Sequence, residues 1–149
     1  MPQRTVLFIC VENACRSLMA EAMFNARAPD GWRATSAGTE PAGAPNPRTA
    51  RMLAEIGLEL PSHPPQPLTT PMMTGSTVRV TMGCLDSEKC PAQLKTLELR
   101  DWGLPDPAKL EDEGFRRVRD DLRRRVEELA RELSQAEGGS RSVETSHTS

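Results

Sequence analysis

Two residues near the start of the chain, Cys10 and Arg16, are spaced for anion chemistry. They bracket the run Cys10-Val11-Glu12-Asn13-Ala14-Cys15-Arg16-Ser17. Val6-Leu7-Phe8-Ile9 before it reads as a buried strand, and the helical spacing of Leu18, Met19, Ala22, Met23 and Ala26 follows it. In such a strand-to-helix turn, loop amides and a helix N-terminus converge on one point and attract a tetrahedral oxyanion. The Arg16 guanidinium can hold two of its oxygens at once. Both features favour a thiolate, the form in which cysteine is a nucleophile, and the Ser17 hydroxyl can add one hydrogen bond. Residues Val11, Glu12, Asn13, Ala14, Cys15, Arg16 and Ser17 are therefore predicted to form an oxyanion-binding loop around Cys10. A buried structural cysteine beside an unrelated arginine is the alternative, and the position at a strand end and helix start disfavours it.

Three more cysteines need an explanation, because the chain has four. Cys84 follows a predicted third strand, and Cys90-Pro91 comes six residues later. Zinc is a poor fit: five residues separate the pair, not the usual two to four, and no third and fourth ligands accompany it. His63 falls in a proline-rich loop and His147 near the end. Cys15 reads equally as a small helix-start residue or a redox participant. Asp106, in Trp102-Gly103-Leu104-Pro105-Asp106-Pro107, could start a turn or cap a helix, as Asp before Pro often does.

Around these residues, 149 amino acids make one domain. A net charge of −2, from 19 basic and 21 acidic residues, excludes a strongly basic nucleic-acid or membrane-surface binder. Aromatic residues are only 3% and tyrosine is absent, which leaves little for base stacking. The early apolar run Val6–Val11 is far below a transmembrane length, so a cytoplasmic chain without membrane association is expected. In that reducing setting cysteines serve catalysis, redox chemistry or metals.

The elements follow in alternation. Pro29-Asp30-Gly31 ends the first helix, and Trp32–Ala37, closed by Gly38, reads as a second strand. Asn46 reads as an N-cap with Pro47 at the first helical position, and Ala50, Leu53, Ala54 and Ile56 as the apolar face before Gly57. Pro61–Pro71, with five prolines, reads as a loop, Val78–Met82 as a third strand and Leu97–Leu99 as a short fourth. Phe115, Val118, Leu122, Val126, Leu129 and Leu133 mark the clearest helix, whose charged residues read as a solvated face. The prediction is a single α/β domain over residues 1–137: a four-stranded parallel sheet with helices on both faces and flavodoxin-like winding. Residues 138–149, rich in Ser, Gly, Thr and Glu, are predicted to be a disordered tail. Ligand sites in such folds lie past the carboxyl ends of the strands, where Cys10 and Cys84 would sit side by side.

The loop, its place after the first strand and the string Ser36-Ala37-Gly38-Thr39 resemble the low-molecular-weight protein tyrosine phosphatase superfamily. That resemblance implies Cys10 as the nucleophile and Asn13 as a residue that shapes the loop. Thr81-Met82-Gly83-Cys84, Cys90-Pro91 and the Trp102–Pro107 stretch resemble its thioredoxin-coupled arsenate reductase branch, and the likeness extends to about Leu133. Reducing arsenate takes two electrons, which two thiols closing to a disulfide supply. The resemblance implies that Cys10 attacks arsenate, Asp106 protonates the departing oxygen, and Cys84 attacks Cys10 to release arsenite. Cys90 then resolves that disulfide into Cys84–Cys90, which thioredoxin opens. If residues 84–90 were helical, six residues at 1.5 Å would hold the two α-carbons about 9 Å apart. A disulfide needs roughly 4.4–6.8 Å, so the segment is expected to rearrange on oxidation.

Phosphate and sulfate are expected as competing oxyanions, with no tightly bound cofactor and a monomeric chain. Some members of the superfamily bind potassium beside the loop. Asn13, Glu21 and Ser36 match three of those side chains, but no Asp or Glu between Pro61 and Val80 supplies the fourth. No metal is therefore expected, and Glu21 reads equally as an early helix charge. Glu12, in an anion loop, must point outward. Asp106-Pro107-Ala108-Lys109 lacks the aromatics with which such phosphatases clasp phosphotyrosine. A phosphatase working through a Cys10 phosphoenzyme is the alternative, and a non-enzymatic oxyanion or redox sensor a third reading.

Overall fold

Val6-Leu7-Phe8-Ile9 lies at the centre of strand β1 (Arg4–Cys10), and each of these four side chains is fully buried. The reason is that both faces of the strand are covered. Val6 and Phe8 pack into the larger apolar cluster, whereas Leu7 and Ile9 join Ala37 and Met73 on the other face. A continuous apolar run is what such a strand requires. The computed structural model describes residues 3–82 and 98–145, with side chains in the last helix described to residue 136.

Strand β1 pairs in parallel with β2 (Trp32–Gly38) on one side and β3 (Val78–Thr81) on the other. Strand β4 (Arg100–Asp101) extends the sheet in parallel to the order β2-β1-β3-β4. Helix α1 (Arg16–Arg27) and the long helix α4 (Asp112–Thr145) fill the larger cluster through Met19, Met23, Phe24, Phe115, Leu122 and Val126. Helix α3 (Thr70–Gly75) sits over the other face through Met73. The fold is thus the doubly wound α/β sheet expected from the alternating pattern.

Three local readings are revised. Helix α2 (Pro47–Ala54) begins as expected, with the Asn46 side chain accepting from the Arg48 amide, but it buries Thr49, Met52 and Leu53 while Ala50 and Ala54 stay exposed. The Thr49 hydroxyl tolerates burial because it donates to the Ala14 carbonyl at 2.8 Å. Helix α3 arises inside the proline-rich stretch: Thr69 caps it by accepting from the Met72 amide, and Pro71 occupies the first turn, where a missing N–H costs nothing. The fourth strand falls at Arg100–Asp101, after the predicted Leu97–Leu99, of which Leu97 lies outside the described residues. The backbone of helix α4 is helical to Thr145. Gly138 and Gly139 cost about 1 kcal/mol each, and no proline interrupts the helix. Among the described side chains the apolar stripe ends at Leu133.

At the back of the sheet, Arg116 and Arg119 of α4 both reach Glu55 at the end of α2. Hydrogen bonds from Arg116, then Arg119, pull the Glu55 carboxyl down to about 2. Phe8 stacks edge-on to Phe24 at 6.3 Å and lies 5.8 Å from Trp102, so it joins α1 to the segment that follows β4. Phe8→Ala is expected to cost about 3–5 kcal/mol of unfolding free energy, measured by denaturant titration.

Candidate active site

The loop that follows β1 is held by its carbonyl groups. The carbonyls of Cys10, Val11, Glu12 and Ala14 accept from the amides of Thr39, Glu40, Ala42 and Asn46, at 3.1, 2.7, 2.9 and 3.1 Å. Tying the carbonyls to that neighbouring segment leaves the loop amides for the inside of the turn. Asn13 makes the bend at φ +53°, a left-handed conformation that Asn tolerates. Gly38, at the end of β2, makes the close approach possible. A Cβ there would sit 2.6 Å from the Val11 oxygen and 3.0 Å from the Asn13 nitrogen.

Cys10 lies buried at the floor of a cavity of about 310 Å³. The cavity is lined by Cys10, Val11, Glu12, Ala14, Cys15, Arg16, Asp106, Ala108 and Lys109. Of the residues named from the sequence for this site, Cys10, Val11, Glu12, Ala14, Cys15, Arg16 and Asp106 line this cavity; Ala108 and Lys109 are read from sequence only for the aromatics they lack. Glu12 is exposed at the rim, where water can screen its charge. Arg16 donates through Nη1 to the carbonyls of Met82 at 2.8 Å and Leu104 at 2.7 Å. Its Nε–Nη2 edge, the fork that suits two oxyanion oxygens, makes no hydrogen bond among the described residues. Asp106 faces the same cavity, and its Oδ1 also accepts from the Ala108 amide at 3.0 Å. Both readings of Asp106 thus coexist: it caps the short 3-10 turn Pro107–Lys109 and lines the pocket. Cys84 and Cys90 lie outside the described residues.

Cys15, at the N-cap of α1, is a different kind of thiol. Burial pushes it up to about 11, against a smaller opposing effect of its hydrogen bond with Thr49. It stays protonated at neutral pH, which favours the reading as a small helix-start residue.

Behind the sulfur runs a chain of polar side chains that the sequence only half revealed. The Asn13 side-chain oxygen accepts from the Gln66 amide at 3.0 Å, which fixes its orientation. Its Nδ2 then donates to Ser17 at 2.7 Å and Ser36 at 3.0 Å. Ser17 has a proton left for the Cys10 sulfur, 2.8 Å away, and the Asn13 amide adds a second donor at 3.2 Å. Ser36 donates to Glu21 at 2.6 Å. Asn13, Glu21 and Ser36, the three residues matching a potassium site, are therefore brought together. On the outer side of Glu21 stands His63, with Nε2 2.7 Å from the carboxylate and Nδ1 2.7 Å from the Pro64 carbonyl. The Pro64 carbonyl and the Glu21 carboxylate are both acceptors, and a neutral imidazole can donate to only one of them, so the arrangement favours the doubly protonated ring. Burial alone would lower the pKa of His63. The Pro64 and Glu21 hydrogen bonds outweigh it, and the net shift is upward. Nothing in the sequence marked this pair, because 42 residues separate its members.

A buried thiol that accepts from the Asn13 amide and shares one cavity with a guanidinium and a carboxyl is the arrangement of a class: α/β enzymes that use a cysteine nucleophile on a tetrahedral oxyanion. Residues 5–138 match the family described as Low molecular weight phosphotyrosine protein phosphatase, and the chain belongs to that family. It is 34% identical to "Arsenate reductase 1" of Staphylococcus epidermidis over 131 residues, covering 87% of this chain and 98% of the relative. The structure is also similar to a thioredoxin-dependent arsenate reductase of Corynebacterium glutamicum, with a TM-score of 0.74 and 31% identity over 91% of this chain and 64% of that one. An arsenate reductase of Archaeoglobus fulgidus gives a TM-score of 0.71 and 33% identity, over 84% of this chain and 98% of the other.

Two measurements check this geometry. Gly38→Ala is expected to cost about 1–3 kcal/mol by overpacking and to weaken binding of inorganic phosphate, read by calorimetric titration. For His63, the native pKa is raised, so the stability it adds is complete below about pH 6.5 and is lost as pH rises through the native value. The gap in melting temperature between the native protein and His63→Ala should be wider near pH 6 than near pH 9; equal gaps would show that the ring carries no charge.

Proposed function

We propose that this protein reduces arsenate to arsenite, with thioredoxin as the electron donor. The observation that carries this reading is the Arg16–Met82 hydrogen bond. It ties the oxyanion-binding arginine to the end of β3, and Cys84 follows two residues later, no more than about 7 Å along the chain. A second thiol within reach of Cys10 would serve electron transfer and has no use in hydrolysis. The pocket lining favours the same reading. Among the described residues none of the lining is aromatic, and an Ala and a Lys stand after Asp106, so a phosphotyrosine ring finds no aromatic wall there. A small oxyanion needs none.

The proposed sequence follows from these positions. The Cys10 thiolate attacks arsenic, Asp106 gives a proton to the departing oxygen, and water leaves. Cys84 attacks the Cys10 sulfur; the sulfur–arsenic bond breaks, its electron pair stays on arsenic, and arsenite departs. Cys90 attacks Cys84, releasing the Cys10 thiol and leaving a Cys84–Cys90 disulfide for thioredoxin to open. The loop amides and Arg16 would hold the anion throughout, stabilising charge that builds on its oxygens. Phosphate and sulfate would compete for the same cradle, being tetrahedral and of similar size.

Among the described residues no helix is long and apolar enough to cross a membrane. We place the reaction in the cytoplasm, where a thiol donor is available, and take the monomer as the working unit.

The test is arsenate with thioredoxin, its reductase and NADPH, following NADPH loss. Cys10→Ser and Cys84→Ser are expected to abolish turnover, and Cys90→Ser to stop it after one cycle. Slow hydrolysis of an aryl phosphate should survive in Cys84→Ser and vanish in Cys10→Ser. Undiminished arsenate turnover without Cys84 would sink the reductase reading, and aryl phosphate hydrolysis with no arsenate turnover at all would favour the phosphatase.

A further inference from the structure

The first turn of α2 stands between the two walls of the pocket. On one side, the Asn46 amide and the Thr49 hydroxyl both donate to the Ala14 carbonyl of the oxyanion loop. On the other, Arg48 spreads across the segment that carries Asp106. Its Nη1 donates to the Leu110 carbonyl at 2.8 Å and to Asp112 Oδ1 at 3.2 Å. Its Nη2 donates to the Ala108 carbonyl at 3.1 Å and the Pro107 carbonyl at 3.3 Å. The guanidinium lies 4.9 Å over the Phe115 ring, a buried anchor of α4. The residues gripped in this way are the ones that set the Asp106 carboxyl, because that carboxyl accepts from the Ala108 amide.

We propose that Arg48 is a positioning residue for proton donation: it fixes the Asp106 wall at its working distance from Cys10. The proposal rests on the reading of Asp106 as the general acid. Arg48 does not line the cavity, so it acts on the substrate only through that wall. Its charge is met by Asp112, which Arg51 also engages at 3.0 and 3.1 Å. What Arg48 supplies is therefore geometry: one planar fork spanning three backbone carbonyls. A lysine offers a single point of donation and cannot span them.

The effect should be large but specific. A general acid is worth about 10²–10⁴ in rate, and a misplacement of about 1 Å can cost about 10²-fold. Arg48→Gln, Arg48→Lys, Asp106→Asn and the double variant Arg48→Gln/Asp106→Asn are compared in the full-length protein. The readout is loss of free thiols in a single turnover with arsenate, which needs no external reductant. Inorganic phosphate binding is measured on each variant in parallel.

With Asp106 present, Arg48→Gln is expected to lower the single-turnover rate about 10- to 100-fold, and Arg48→Lys by less. Phosphate binding should stay within twofold. In the Asp106→Asn background, Arg48→Gln should change the rate less than twofold, because the group it positions is already gone. An equal loss in both backgrounds, a weakened phosphate affinity, or no loss with Asp106 present would each overturn the role of Arg48. Should Arg48→Gln fail to fold, Arg48→Lys and its double variant with Asp106→Asn carry the same comparison. An unchanged rate in Asp106→Asn alone would instead remove the general-acid reading on which the proposal stands.

Discussion

Everything at this site depends on which way four carbonyl groups point. A loop of eight residues that binds an anion must turn its amides inward, and a free loop has no reason to do so. Here the carbonyls of Cys10, Val11, Glu12 and Ala14 are each taken up by an amide between Thr39 and Asn46. The segment can lie that close only because Gly38 has no side chain. The central strand supplies the footing: β1 is buried on both faces, so the point where it ends is fixed by the whole core. The anion cradle is thus a consequence of sheet packing and one missing methyl group, and Arg16 and Cys10 are added to a turn already set.

The same economy governs α2. Its first turn caps itself through Asn46, supports the oxyanion loop through Thr49, and holds the opposite wall through Arg48. Its last turn is tied to α4 by Glu55 with Arg116 and Arg119. A helix of eight residues has little stability of its own. Its position comes from these ties at both ends, which also make it a rigid spacer between the two sides of the pocket.

Much of this was legible in the sequence. The run Val6–Ile9 can be read as a doubly buried strand, and the cysteine and arginine that follow line the candidate pocket, because local pattern and local chemistry coincide there. Legibility fails where a distant partner decides. Thr49 is buried because the Ala14 carbonyl takes its hydroxyl proton, so an apolar count found Leu53 and Ile56 but put Ala50 and Ala54 inward in place of Thr49 and Met52. Helix α3 hides among prolines, since a Thr cap and a Pro in the first turn cancel the signals that prolines usually send. Strand β4 has two residues, too few for any periodicity. His63 gave no sign of its carboxylate partner, and Lys109 gave none of its place in the pocket wall.

The polar chain behind the sulfur has a practical side. Thermodynamic coupling is reciprocal: if the imidazolium charge of His63 affects the sulfur through Glu21, Ser36, Asn13 and Ser17, then events at the sulfur must alter the imidazole by the same free energy. The chain contains only two histidines, His63 and His147. In a proton NMR spectrum their ring signals would be few and well separated from the rest. His63 is thus a reporter built into the protein, placed so that arrival of an anion or loss of a thiol at Cys10 can be followed without attaching a label.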